Sequence, residues 1–260
     1  MLEKTVEESI ISAMEGTNVK LVKHLPYILL DFWELGSFPE EIIKIIKSQY
    51  DNYSNLSVLD LGSGKGAASV KIASELRCNC LGIDAIEDFV NFSNEKSKEY
   101  CVNDICKFET GDIRIRLKTL GKYDVIILGA IGPVLGDYCS TLSQLKPHLN
   151  NGGIVIIDDA YIEDGYTTDY PDVMRKSDIL KQISNAGMEI IDKITNDEIS
   201  GTDEAYENEY KNIEKRCMEL IEKFPEDKNM ILEYSEGQKK LTGLLINEIT
   251  PVIWIVEKKA

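Results

Sequence analysis

Val58-Leu59-Asp60-Leu61-Gly62-Ser63-Gly64-Lys65-Gly66 decides how the rest of the chain is read. Its first four residues read as the end of a buried strand. Three glycines follow at alternate positions, and Ala67 to Leu76 then carries a helical pattern. A strand that turns through glycines into a helix start is suited to a polar ligand. Missing Cβ atoms let the ligand approach the backbone, and the first helical turn offers N–H groups without partners of their own.

Outward from this turn, strand and helix alternate. The apolar runs predict strands at 57–61, 78–83, 105–110, 123–128 and 153–158, with helices at 66–77, 86–101, 112–119 and 135–147. Val125-Ile126-Ile127-Leu128 and Ile154-Val155-Ile156-Ile157 lack the polar alternation of a half-exposed strand, so they fit a parallel sheet covered by helices on both faces. Repeated strand–helix units of this length predict an α/β protein with a doubly wound sheet and ligands at the carboxyl ends of the strands. Upstream, Met1 to Met14, Val19 to Trp33 (interrupted by Pro26) and Pro39 to Tyr50 read as helices. Downstream, Tyr161 to Lys176 reads as a loop and Ser177 to about Asn185 as a helix. Met188 to Ile194 and Thr250 to Glu257 read as the last two strands. Between them, Tyr206, Tyr210, Ile213, Cys217, Leu220 and Phe224 form one helical stripe, Pro225 breaks it, and Met230 to Ile246 forms a second helix.

The bulk numbers narrow the partners. The 260 residues are 43% apolar, enough for a substantial core, and the net charge is −16, which disfavours the basic surface that a nucleic-acid grip needs. No apolar run approaches the ~20 residues that span a bilayer, and Met1-Leu2-Glu3-Lys4 carries no apolar signal region, so the expected setting is cytoplasmic. Cys78, Cys80, Cys101, Cys106, Cys139 and Cys217 read as reduced, core-type cysteines. Cys78 and Cys80 are expected on opposite sides of a strand.

The strand ends carry the chemistry. Asp60 precedes the first glycine, the second strand closes on Gly82-Ile83-Asp84, and the third is followed by Gly111-Asp112-Ile113. The fourth ends at Leu128-Gly129-Ala130 and the fifth at Asp158-Asp159-Ala160. With these residues the chain resembles the class I S-adenosylmethionine-dependent methyltransferases, well over residues ~55–160 and in layout beyond. The resemblance implies a Rossmann-like seven-stranded sheet of order 3-2-1-4-5-7-6 with the last strand antiparallel. It also implies S-adenosylmethionine as methyl donor, leaving as S-adenosylhomocysteine. Asp60, Gly62, Ser63, Gly64 and Gly66 would hold the methionine end and Asp84 the ribose hydroxyls. Ala85 or Ile86 would lie against the adenine, Asp112 would bond the adenine amino group with Ile113 against the ring, and Gly129 and Ala130 would line the cofactor. Asp112 also fits the N-cap of its helix. The departure from the family pattern is the helical stretch between the last two strands, where a short turn is usual. The expected division is a helical cap at 1–55, the Rossmann-like domain at 56–197 and 249–260, and an insertion or lid at 198–248. This insertion either walls the acceptor site or serves stability or a homodimer contact.

For the acceptor, Gly129-Ala130-Ile131-Gly132-Pro133 lacks the acidic or amide Pro-Pro-aromatic turn of base-amino methyltransferases, and no Pro-Cys pair supports cytosine C5 chemistry. Gly129-Ala130 also lacks the first acid of the metal-dependent catechol type, so no metal is expected. A small-molecule acceptor remains, as in the group resembling ubiquinone/menaquinone-type methyltransferases. Asp158, Asp159, Tyr161 and His24 are the candidates for orienting or deprotonating it, and Tyr27, Asp31, Trp33 and Tyr161 for binding it. Competing readings are a non-catalytic cofactor-binding protein, a nicotinamide dehydrogenase, which would want its third glycine one place later, and an aminopropyl transferase on the same scaffold.

Overall fold

A computed structural model describes residues 4–36, 38–168, 173–199 and 202–259. The parts of the expected elements that fall on residues 1–3, 37, 169–172, 200, 201 and 260 lie outside the described residues. In chain order the structure runs α1 (Val6–Ala13), a 3-10 turn (Val19–His24) into α2 (Leu25–Ile28), α3 (Pro39–Gln49), β1 (Ser57–Leu61), α4 (Ala67–Leu76), β2 (Asn79–Asp84) and α5 (Glu87–Glu99). It continues β3 (Cys106–Thr110), α6 (Ile113–Arg116), β4 (Tyr123–Gly129), α7 (Tyr138–Leu145), β5 (Leu149–Tyr161), α8 (Lys176–Asn185), β6 (Met188–Thr195), α9 (Thr202–Lys223), α10 (Lys228–Asn247) and β7 (Thr250–Lys258).

The seven strands form one sheet in the order β3-β2-β1-β4-β5-β7-β6, with β7 antiparallel. This is the expected topology. Val58, Leu59, Leu61, Val125, Ile126, Val155 and Ile156 are buried, as a sheet covered on both faces requires. The parallel register places the strand ends. Asp60 is level with Gly82 and with Ile127, Asp84 with Thr110, and Gly129 with Asp158. Residues at one level of a parallel ladder share a side, and side chains alternate along a strand. Counting by twos therefore puts Asp60, Asp84, Gly129 and Asp158 on one face of the sheet. Ser69 of α4 identifies that face, because its hydroxyl donates to Asp60 Oδ2 at 2.7 Å.

Several elements differ from expectation for physical reasons. β5 starts at Leu149, ahead of the predicted 153–158, because Leu149 already pairs with Tyr123 of β4; the ladder then shifts register and resumes at Val125 and Ile154, across Asn150-Asn151-Gly152-Gly153, residues with poor strand propensity. The predicted helix from Val19 to Trp33 is a 3-10 turn followed by the four-residue α2. Pro26 stands in its first turn, where the missing N–H costs nothing, but the proline bars continuity with the turn before. Side chains two apart along an extended segment share a side, so the expectation that Cys78 and Cys80 face opposite sides is corrected: their Sγ atoms lie 4.0 Å apart.

The chain packs as two compact units. One comprises Trp33–Asp159, Asp178–Lys193 and Ile253–Ala260, and the other Met1–Phe32, Ala160–Ser177 and Ile194–Val252. The second unit joins the N-terminal helices to the α9–α10 pair: Thr17 Oγ1 donates to Glu233 at 2.9 Å, and Gln238 Nε2 donates to the Met14 carbonyl at 3.1 Å.

Candidate active site

The glycine turn is held by β2. The N–H groups of Gly62 and Ser63 both donate to the Ile83 carbonyl (2.8 and 3.1 Å), and Gly64 N–H donates to Asp84 Oδ2 at 2.8 Å. Gly62 has φ +71°, and a Cβ there would run into Ile131 Cγ2. Gly66, at φ +74°, is the N-cap of α4, and a Cβ there would stand 2.7 Å from both Phe108 and Ser93. Glycine is required at both positions by conformation and by space together. Two apolar side chains roof the turn: Ile131 lies over Gly62, and Leu35 Cδ1 would be 3.3 Å from a Cβ on Gly64.

Three polar groups of this turn are buried with bonding capacity to spare. Asp60 is 3% exposed. Burial pushes its pKa up to about 6, against the Ser69 hydrogen bond, and the charge of Asp84 adds to the rise. Asp84 is also buried. Burial raises its pKa while the N–H groups of Ile86 (2.8 Å, to Oδ1), Gly64 and Ala85 favour the ionised form. Oδ1 accepts from Ile86 and Oδ2 from Gly64, and acceptor capacity remains on the carboxylate for a ligand. The hydroxyl oxygen of Ser63 is shielded from solvent and has no hydrogen-bond partner.

Further along the strand ends, the Gly111 N–H donates to the Asp84 carbonyl at 2.8 Å, which sets the start of the Asp112 segment. Asp112 caps α6 by accepting from Arg114 N at 2.9 Å, and the Arg114 guanidinium folds back onto the same carboxylate at 2.8–3.0 Å. Burial opposes its ionisation, but the bonds and charge of Arg114 prevail and hold its pKa below the usual range. Ile113 is buried behind it. Ala130, at φ +53°, is a non-glycine residue in the left-handed region. Its N–H donates to the Asp158 carbonyl at 3.1 Å, which fixes the exit of β4 against the end of β5. Asp158 Oδ2 is shielded from solvent without a hydrogen-bond partner, whereas Asp159 accepts from the Tyr138 hydroxyl at 2.8 Å.

The candidate acceptor residues are placed differently. Trp33 belongs to the sheet-bearing unit. Its Nε1 donates to the Lys65 carbonyl at 3.1 Å and its ring lies 5.1 Å from that of Tyr100, so its polar handle is used to staple the glycine turn. The others lie in the helical unit. Tyr27 donates to Glu219 at 2.7 Å, and Asp31 receives a two-pronged contact from Arg216 at 2.6 and 2.7 Å. His24 is 3% exposed, with Nε2 2.9 Å from Asp227 Oδ2, which also takes Lys23 Nζ at 2.7 Å. Tyr161 is buried beneath Lys176, whose Nζ lies 5.0 Å from the ring centre. The register brings Asp60, Asp84, Gly129 and Asp158 to one face, whereas His24, Tyr27 and Asp31 are joined to α9 and to the turn that follows it. Sequence reading missed Leu35 and Ile131, single apolar residues in polar or glycine-rich turns. It also missed Lys65, which is buried with Nζ 5.2 Å from the Phe92 ring centre and 5.8 Å from that of Phe89.

With this geometry in hand, comparison identifies the class: residues 52–220 match the family of methyltransferase domains, and the chain belongs to that family. No curated protein matches the chain. Among solved structures, an S-adenosylmethionine-dependent methyltransferase of Thiobacillus denitrificans in complex with S-adenosyl-L-homocysteine superposes with TM-score 0.74 at 16% identity, over 91% of this chain and 98% of that one. A Geobacter sulfurreducens counterpart, also with S-adenosyl-L-homocysteine, gives 0.71 at 17% identity over 91% and 98%. The [4+2]-cyclase SpnF gives 0.70 at 12% identity, over 100% of this chain and 98% of its own. At these identities the likeness is one of fold.

Proposed function

We propose that the protein transfers the methyl group of S-adenosylmethionine to a small-molecule acceptor and releases S-adenosylhomocysteine. The observation that carries this reading is the set of buried, under-used polar groups at the strand ends. Asp60 and Ser63 have capacity to spare beside the glycine turn, and Asp84 has it at the end of β2. They fit the cofactor. Asp60 and Ser63 would take the ammonium and carboxylate of its methionine end, and Asp84 the two ribose hydroxyls. Asp112 and Ile113 would meet the adenine, with Ala85, Gly129 and Ala130 lining the cleft. Gly62, Gly64 and Gly66 supply the close backbone approach. The two structural neighbours crystallised with S-adenosylhomocysteine support the assignment.

The bound cofactor supplies an activated methyl group on a sulfonium, so the residues here have three tasks: to align, to exclude water and to manage the acceptor's proton. Leu35 and Ile131, over the glycine turn, serve the second. The net charge of −16 favours a small acceptor over nucleic acid, and among the described residues no helix is long and apolar enough to cross a membrane. The cytoplasmic reading rests on the sequence. The named cyclase among the neighbours favours one second reading, a cofactor-binding enzyme of this fold whose reaction is not methyl transfer. Incubating the protein with methyl-labelled S-adenosylmethionine and a metabolite extract separates the two. Label appearing in a small molecule supports methyl transfer, and tight cofactor binding with no label transferred to any component overturns it.

A further inference from the structure

Asp158 stands where a carboxylate ought to have a partner. It closes β5 level with Gly129, on the face of the sheet that carries Asp60 and Asp84, and its carbonyl holds the Ala130 N–H. Its Oδ2 is sealed from solvent with no hydrogen-bond donor in reach. Asp158 is half-buried as a residue, but an ionised carboxylate would lose the hydration of this oxygen without compensation. Its neighbours do not relieve it. Asp159, next along the strand, adds a negative charge, Tyr138 of α7 gives its hydroxyl to Asp159, and β4 contributes glycine. Burial first, and then the charge of Asp159, raises the Asp158 pKa well above the ordinary carboxylate range.

We infer that Asp158 receives the nitrogen of an amine acceptor, which arrives as an ammonium, passes a proton to Oδ2 and is thereby freed to take the methyl group. This inference rests on the methyl-transfer reading above. An ammonium is the class that answers an unpaired, shielded carboxylate oxygen beside a second acid. A hydroxyl group is too weak an acid to give such a carboxyl its proton. The proton transfer leaves two neutral partners, amine and carboxylic acid, which a desolvated site favours over a charged pair. The nitrogen lone pair then forms the N–C bond as the donor's C–S bond breaks, with the electron pair of that bond remaining on sulfur. The proton held at Oδ2 returns to water when the methylated ammonium leaves.

The test follows the carboxyl directly, in the full chain. The protein is labelled with carboxyl-13C aspartate, and the Asp158 resonance is identified by its loss in Asp158→Asn. It is titrated alone, with n-butylammonium chloride, and with n-butanol as a neutral probe of the same shape. The inference expects a midpoint above the usual carboxylate range that rises by about one further pH unit with butylammonium, tenfold in proton affinity, because the ammonium's proton passes to the carboxyl, and that is unmoved by butanol. Asp159→Asn should lower the midpoint of the free protein. A midpoint near that of an exposed carboxylate, no response or a fall with butylammonium, or an equal response to butanol overturns it. S-adenosylhomocysteine titrated into wild type and Asp158→Asn should bind both equally. Failure to bind wild type would remove the methyl-transfer reading, while the carboxyl titration still reports on the amine site by itself.

Discussion

The glycine turn and the helical unit handle polar groups in opposite ways. At the turn, Asp60 has one side-chain partner for two oxygens, and the Ser63 hydroxyl has none, though both groups are shielded from water. In the helical unit, Tyr27 closes on Glu219, Asp31 on Arg216, and His24 and Lys23 on Asp227. Buried polar groups cost stability unless they are satisfied. A cluster that only holds structure can close its own bonds, whereas a binding site keeps some of them for its ligand. On the proposed reading, the open groups at the turn are the ones kept for a ligand.

The comparison breaks most sharply at the turn itself. Gly62→Val places a branched side chain at φ +71°, directly against Ile131, and is expected to abolish S-adenosylhomocysteine binding and lower the melting temperature; calorimetric titration and thermal melts measure both. Asp60→Asn should trade binding for stability. The folded-state pKa of Asp60, about 6, lies above its ordinary 3.8, so the folded protein binds the extra proton between those values and loses stability as pH rises through that window. The asparagine variant should therefore gain up to roughly 3 kcal/mol over wild type above pH ~6. Its advantage should vanish in acid, where Asp60 is protonated folded or unfolded, and it should bind the cofactor more weakly. Urea unfolding across this range checks the sign, and a variant less stable than wild type at neutral pH would contradict it. Asp84→Ala should weaken S-adenosylhomocysteine by about 1–3 kcal/mol, the cost of leaving ligand hydroxyls unpaired in a buried site. Arg216→Ala should have the smallest effect. It removes a partly exposed ion pair and should lower the melting temperature only slightly while leaving S-adenosylhomocysteine affinity unchanged.

The strands and their terminal acids were legible because each is local, whereas the sheet order came with the family resemblance. Apolar runs mark covered strands and the glycines mark a turn; the parallel register of that sheet then aligns Asp60, Asp84 and Asp158. What covers the turn was not legible. Leu35 and Ile131 sit in stretches whose neighbours are Glu34, Gly36, Ala130 and Gly132, and nothing in a lone apolar residue of a turn says where it folds back. The partners of Tyr27 and Asp31 were hidden for a related reason. Their spacing of four suggested a shared helical face, but Glu219 and Arg216 lie nearly two hundred residues away along the chain. An aromatic residue or an acid in a helical segment has the same sequence signature whether it awaits a ligand or already has a partner.

The most direct test of the central claim is a calorimetric titration of S-adenosylhomocysteine into the wild-type chain, Asp84→Ala and Arg216→Ala under one set of conditions. The strand-end site predicts one saturable site in wild type, the same affinity in Arg216→Ala and a loss of about tenfold or more in Asp84→Ala. Absence of binding to wild type, or equal affinity for wild type and Asp84→Ala, would contradict it.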